Sequence, residues 1–237
     1  MRIVVVFPWA QGSLSEEEEA HRRALVRAAA SPGTEVAFVQ IGQASMFSEP
    51  FSARNTSRVV DEIVQAIEQA VPSRPDAFLV WGGLDPGVAL ARQRVDVPVI
   101  GVAQATYAAA AQLEARLGLV VYEAGIVDAV REGARRCGVA HLIASIRSID
   151  VPMTELTPRR TYVRERIVEE AGAALAQDGA TAIYVNGMSM MPAAIGAEEL
   201  SSQIGAPVLD PLRIGMQTAE LVAAQPGVRR YRGVPAG

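Results

Sequence analysis

Short runs of consecutive apolar residues alternate along the chain with longer stretches whose apolar positions recur every three to four residues. The short runs predict strands at 3–7, 35–41, 77–81, 97–102, 117–122, 141–146, 182–186 and 206–210. The stretches between them predict helices near 15–30, 55–71, 86–94, 105–116, 125–137, 160–177, 192–203 and 212–224. Strands that are apolar throughout and separated by helices require a parallel sheet covered on both faces, so the fold class is α/β.

The pattern also repeats. DAFLVWGG, a helix and VDVPVIG in one half match TAIYVNGM, a helix and IGAPVLD in the other, and the opening strand RIVVVF matches LGLVVY. Two pseudo-symmetric lobes are expected, each a parallel four-stranded sheet flanked by helices. The first takes 1–104 with 212–237, because Pro211 ends the last strand and the helix after it returns; the second takes 105–211. Ligands of open parallel sheets sit beyond the carboxyl ends of the strands. That singles out the turns at 8–11, 82–85, 122–125 and 187–190, each leading to a helix N-terminus whose free N–H groups favour an anionic oxygen.

Composition narrows the chemistry. All 22 positive residues of this 237-residue chain are Arg. Without lysine there is no Schiff base and no Walker-type phosphate loop. One Cys and two His are too few for a typical zinc site, and no disulfide can form within the chain. A net charge of −4 gives no broad basic surface for nucleic acid. No apolar run approaches the roughly 18 residues that span a bilayer. The opening MRIVVVFPWAQG is broken by Pro8 and followed by SLSEEEE, so it reads as a strand and not as a signal peptide, and a cytoplasmic protein is expected.

GLDPGVALAR followed by VDVPVIGVAQA, then IASIRSIDVPMTEL, AQDGATAIYVNGMSMM and IGAPVLDPLR cover most of 76–222, and RIVVVFP matches more weakly at the start. In these segments the chain resembles the aspartate/glutamate/hydantoin racemase superfamily, and its hydantoin racemase branch most. The resemblance implies two α/β lobes with a cofactor-free site in the cleft between them. It also implies one Cys on each lobe, one thiolate removing an α-proton while the opposite thiol delivers another.

The sequence departs from that pattern at both thiols. The first corresponds to Gly82, three residues before the DPG motif, and the second to Met188, after Gly187. Neither side chain can transfer a proton, which excludes a two-thiol shuttle at these positions. The sole Cys137 lies in REGARRCGVA, on a helix away from either turn. The family's opening Asn-Pro-Asn is replaced by Phe7-Pro8-Trp9, and its usual Glu after the fourth strand by Gln104. Trp9, Trp81, Met188, Met190 and Met191 gather around the lost thiols, and such turns either pack into a core or line an apolar pocket.

Substrate contacts are therefore expected from Trp9, Trp81, Gly82, Gly83, Gly187, Met188 and Met190. Catalytic candidates are Glu123 and Tyr122 as acid/base groups, with Ser189 and Asn186 as donors to a developing oxyanion. Asp85 is a second carboxylate candidate, although a helix N-cap with Pro86 at the first helical position explains it as well. Tyr184 and Tyr107 read as core aromatics that could reach a carbonyl, Arg147 as a surface ion pair, His21 as a solvated helix residue and His141 as the start of a strand. Three functions follow. The first is a cofactor-free isomerase, cyclase or lyase acting without thiols on a mostly apolar carbonyl compound, as in secondary metabolism. The second is a one-base epimerase or decarboxylase using Glu123, Tyr122 or Asp85. The third is a non-catalytic ligand-binding homologue. The expected partner is a small-molecule substrate, with no nucleic acid and no membrane, and the oligomeric state is open, a homo-oligomer included.

Overall fold

The computed structural model describes residues 1–43 and 53–225, so the tail assigned above to the first lobe is described only as far as 225. The chain divides into two compact units, Met1–Val102 with the stretch from Gly215, and Ala103–Ile214.

In the first unit, β1 (Arg2–Phe7), β2 (Glu35–Gln40), β3 (Ala77–Val80) and β4 (Val99–Gly101) form a parallel sheet in the order β2-β1-β3-β4. Strands β1 and β3 lie in its centre, covered on both faces, which is why RIVVVF and AFLV carry no polar residue after Arg2. Helix α1 (Glu16–Ala29) starts at Ser15, whose side chain accepts from the Glu18 N–H, with four Glu at the positive end of the helix dipole. From α2 (Ala53–Ala70), Val59, Ile63 and Ile67 pack on Val4, Val6, Phe78 and Val80. Helix α3 (Val88–Arg94) begins two residues later than the sequence predicts. Asp85 (φ 50°) and Gly87 (φ 74°) are left-handed, so Pro86 belongs to a turn and is not the first helical residue.

In the second unit, α4 (Val102–Gln112) leads into β5 (Leu117–Val121), α5 (Val127–Arg136), β6 (Ile143–Ser148), α6 (Arg160–Asp178), β7 (Ala182–Val185) and α7 (Ala197–Ile204). Its parallel sheet runs β6-β5-β7, three strands where four are predicted. The stretch 206–210 contributes one bridge, Val208 beside Ile183, held by Ile183 N–H to the Pro207 carbonyl and Leu209 N–H to the Ile183 carbonyl, both at 2.9 Å. Pro207 and Pro211 flank that bridge without N–H groups of their own, and Pro211 opens the next helix, so the ladder stops. Helix α6 presses directly on β5 at Gly118, where a Cβ would come within 2.6 Å of the Ala174 Cβ.

Helix α8 (Pro211–Ala223) is capped by Asp210, whose carboxylate accepts the N–H groups of Leu212 and Arg213 at 3.0 Å. From Gly215 on it packs in the first unit, where Glu220 accepts from the Ser31 N–H, the Ser31 hydroxyl and the Thr34 hydroxyl at 2.6–2.8 Å. Among the described residues no helix is long and apolar enough to cross a membrane.

The strand orders repeat. In each unit the first strand pairs with the second on one side and the third on the other, so the chain reverses direction across the sheet at that strand. In open parallel sheets ligands sit at such a switch point, here beyond the carboxyl ends of β1 and β3 and of β5 and β7.

Candidate active site

At the carboxyl end of β1 and β3, Trp9 and Trp81 are buried in an aromatic cluster. Trp9 stacks on Phe7 at 4.4 Å between centroids, and Trp81 meets Phe7 and Trp9 edge-on at 5.4 and 6.2 Å. Trp81 donates its N–H to the Val6 carbonyl at 3.0 Å. Gly82 and Gly83 follow in a turn closed by the Asp85 N–H on the Gly82 carbonyl. A Cβ on Gly82 would lie 2.6 Å from the Pro86 Cδ. Asp85 is not an N-cap, because α3 begins after Gly87. Its carboxylate instead lies over Gly101 at the end of β4, within 2.3–2.6 Å of where a Cβ on that glycine would stand.

The second unit repeats this frame with different chemistry. Asn186 occupies the place of Trp81, donating its N–H to the Val120 carbonyl at 2.8 Å. Tyr122 follows β5 and is almost wholly buried, as is Asn186, while Glu123 is half-buried. Among the described residues the Tyr122 hydroxyl, the Glu123 Oε1 and the Asn186 Nδ2 are each buried with no hydrogen-bond partner. Burial, and secondarily the charge of Glu123, pushes the Tyr122 hydroxyl well above its ordinary value, so it stays protonated. Burial also raises the Glu123 carboxyl. Three polar atoms left open in one region of a native fold require a reason, and a binding site is one.

Beside them runs the turn from Gly187 to Gly196, where the sequence predicts the start of a helix that in fact begins at Ala197. The Gly187 carbonyl accepts from Met190 and Met191, and the Met190 carbonyl from Ala194 and Ile195. Among the described residues no backbone carbonyl takes the Met188 N–H. Met188, Met190 and Met191 are buried, and Ser189 is half-buried on the same turn. Gly187 brings this turn against Tyr122: a Cβ there would lie 3.7 Å from Tyr122 Cδ1 and 2.9 Å from Met190 Cε.

The other candidates lie elsewhere. Tyr184 packs edge-on against Tyr107 at 5.7 Å in the core. Arg147 is an ion-pair residue, held by Asp178 at 2.6 Å and Glu170 at 3.3 Å. His141 is exposed in a turn before β6, which starts only at Ile143, and His21 is half-buried and not fully solvated. Cys137 caps the carboxyl end of α5. That helix starts at the strand-end turn and runs ten residues back, about 15 Å of rise that separates the thiol from Tyr122 and Glu123. Among the described residues no group of three or more His, Cys, Asp or Glu is placed to hold a metal ion.

Two buried charges went unread in the sequence. Glu18 and Arg22 lie in SEEEEAHRRAL, yet both are buried, joined at 2.7 Å, with the Arg22 guanidinium 5.2 Å from the centre of the Trp9 ring. The available signal was the spacing of Glu18, Arg22 and Val26 on one helical face.

The chain is similar to known proteins. The family described as Asp/Glu/Hydantoin racemase matches residues 16–219. A hydantoin racemase of Paenarthrobacter aurescens is 26% identical over 226 residues, 94% of this chain and 92% of that protein. Another, from Pseudomonas sp. (strain NS671), is 28% identical over 200 residues, 83% of this chain and 77% of its own. The solved allantoin racemase from Klebsiella pneumoniae shares the fold with a TM-score of 0.84 at 23% identity, over 100% of this chain and 95% of that one. The chain belongs to the Asp/Glu/hydantoin racemase family.

Proposed function

We propose that this member of a racemase and isomerase family is a cofactor-independent enzyme that moves a proton at a carbon beside a carbonyl, without a catalytic thiol. The supporting observation is the set of three buried polar atoms without partners, Tyr122 Oη, Glu123 Oε1 and Asn186 Nδ2. Ionised Glu123 takes the proton from carbon, and the C–H electron pair moves onto the carbonyl oxygen to form an enolate. The Tyr122 hydroxyl, the Asn186 amide and the Met188 N–H donate to that oxygen as its charge develops. Burial raises the Glu123 carboxyl, so it holds the returned proton more readily than an ordinary carboxylate does. The same enolate also forms by loss of carbon dioxide or leads to ring closure, so one site would serve epimerisation, decarboxylation or cyclisation.

Gly82 and Met188 support a thiol-free route, since neither can hold a proton at the positions where the resemblance implies Cys. Trp9, Trp81, Met188, Met190 and Met191 are all buried, the packing outcome expected of apolar turns, so the mostly apolar substrate rests on the composition of these turns and not on an exposed lining. Asp85 fits the role less well than Glu123, because its carboxylate is folded over Gly101. Proton NMR of neutral α-aryl and α-alkyl cyclic amides and esters in D2O tests this reading. Exchange of the α-hydrogen with wild-type protein, and its loss in Glu123→Gln, is the expected result. Tight binding without exchange or conversion across the panel would replace it with a ligand-binding role.

A further inference from the structure

Arg164 of α6 reaches two neighbours with the two arms of its guanidinium. One arm donates to the carbonyl of buried Ala194 at 2.8 Å, and the other meets the Glu199 carboxylate on α7. With 38% and 41% of their side chains open to solvent, Arg164 and Glu199 form a pair that adds little to stability by itself. The carbonyl bond is different, because it starts a series. A trans peptide group is planar, with its carbonyl and N–H on opposite edges, so a bond on one edge sets the direction of the other. The peptide joining Ala194 to Ile195 takes Arg164 on its carbonyl and donates its N–H to the Met190 carbonyl at 3.0 Å. The peptide joining Met190 to Met191 donates in turn to the Gly187 carbonyl at 2.9 Å. The peptide joining Gly187 to Met188 ends the series, and among the described residues no backbone carbonyl takes its N–H. All of these residues lie in the second unit. The open end adjoins Asn186, whose Nδ2 is buried without a partner, and Gly187 brings it against the Tyr122 ring. The counterpart turn of the first unit, 81–87, is shorter and closes locally, with the Asp85 N–H on the Gly82 carbonyl.

We propose that Arg164 is a positioning residue for the oxyanion donor: its guanidinium anchors three hydrogen-bonded peptides in series and polarises them toward the Met188 N–H. Bonds in series strengthen one another, and a cation on the first carbonyl oxygen draws electron density along them, which makes the last N–H a better donor. The inference rests on the carbon-acid reading above and deepens it by naming what holds one of the three donors to the enolate oxygen.

The test compares wild type with Arg164→Met, Arg164→Lys and Glu199→Gln. Arg164→Met should lower kcat for α-hydrogen exchange about tenfold or more with KM within about threefold, the mark of an interaction made in the transition state. Without substrate, amide hydrogen exchange followed by NMR should show protection of the Met191 and Ile195 N–H groups falling about tenfold or more, while the β7 amides keep theirs. Arg164→Lys keeps a cation but loses the fork, so it should fall between. Glu199→Gln removes the ion pair and keeps an acceptor oxygen, and it should stay within about twofold of wild type in both readouts. Unchanged protection in a folded Arg164→Met protein overturns the proposal, as does a kcat within twofold of wild type. An equal loss in Glu199→Gln also overturns it, because the ion pair would then be the cause. If Arg164→Met does not fold, Arg164→Lys carries the same comparison. A wild-type chain that exchanges no substrate defeats the carbon-acid reading instead, and amide protection still decides whether Arg164 holds the turn.

Discussion

Gly82 and Pro86 leave no room for a side chain between them: a Cβ on Gly82 would lie 2.6 Å from the Pro86 Cδ and 3.0 Å from its Cγ. A proline ring cannot swing aside as the end of a flexible side chain can. The turn after β3 is thus shaped around glycine at the position where the family resemblance implies a thiol. Replacing Gly82 with Cys should destabilise the fold by about 1–3 kcal/mol, the usual cost of overpacking. Met188→Cys, which only removes volume from a buried site, should fold. Urea unfolding of both variants checks this, and a Gly82→Cys protein as stable as wild type would show that the turn yields.

Tyr122→Phe should separate stability from activity. The hydroxyl is buried without a partner, so removing it should leave stability unchanged or raise it by about 1 kcal/mol. The same change removes a donor to the enolate oxygen and should lower kcat by about 10²–10³. Thermal melts and exchange rates measured on one preparation give both answers. A variant that loses stability would mean the hydroxyl is bonded in the resting protein.

Glu123 sets a pH dependence of unusual sign. Burial raises its carboxyl, so the fold binds that proton more tightly than the unfolded chain does. Stability contributed by the protonated form falls as pH rises through the ordinary carboxylate value, and the loss is complete above the raised one. Glu123→Gln should therefore melt above wild type at neutral pH, with the gap closing in acid. A constant gap across that range would contradict the assignment.

Glu220 behaves in the opposite sense. Burial resists its ionisation, but the bonds from Ser31 and Thr34 outweigh it and hold the carboxyl below its usual range. Its stabilisation is present above the unfolded value and lost as pH falls through the lowered one. Glu220→Gln should cost about 1–3 kcal/mol at neutral pH, where hydrogen bonds to a charged group are lost. Melts repeated at decreasing pH should show that cost shrinking.

The α/β class and the ends of most elements were legible because continuous apolar runs such as RIVVVF and LGLVV mark central strands, and the internal repeat marks two sheets. The missing eighth strand was not legible, since apolar character alone does not reveal that Pro207 and Pro211 leave room for one bridge. Glu123, Tyr122 and Asn186 were found as residues at strand ends. Their shared lack of partners belongs to packing and has no sequence signature. Asp85 misled, because D-P-G reads as a helix start until the left-handed backbone at 85 and 87 is seen. The buried Glu18–Arg22 pair was hidden inside an acidic and basic run whose composition describes a solvated face.

The most direct test of thiol-free chemistry is α-hydrogen exchange in D2O by Cys137→Ser, the variant that removes the last sulfhydryl from the chain. Exchange within twofold of the wild-type rate is predicted, and exchange abolished in a folded Cys137→Ser protein would contradict the account.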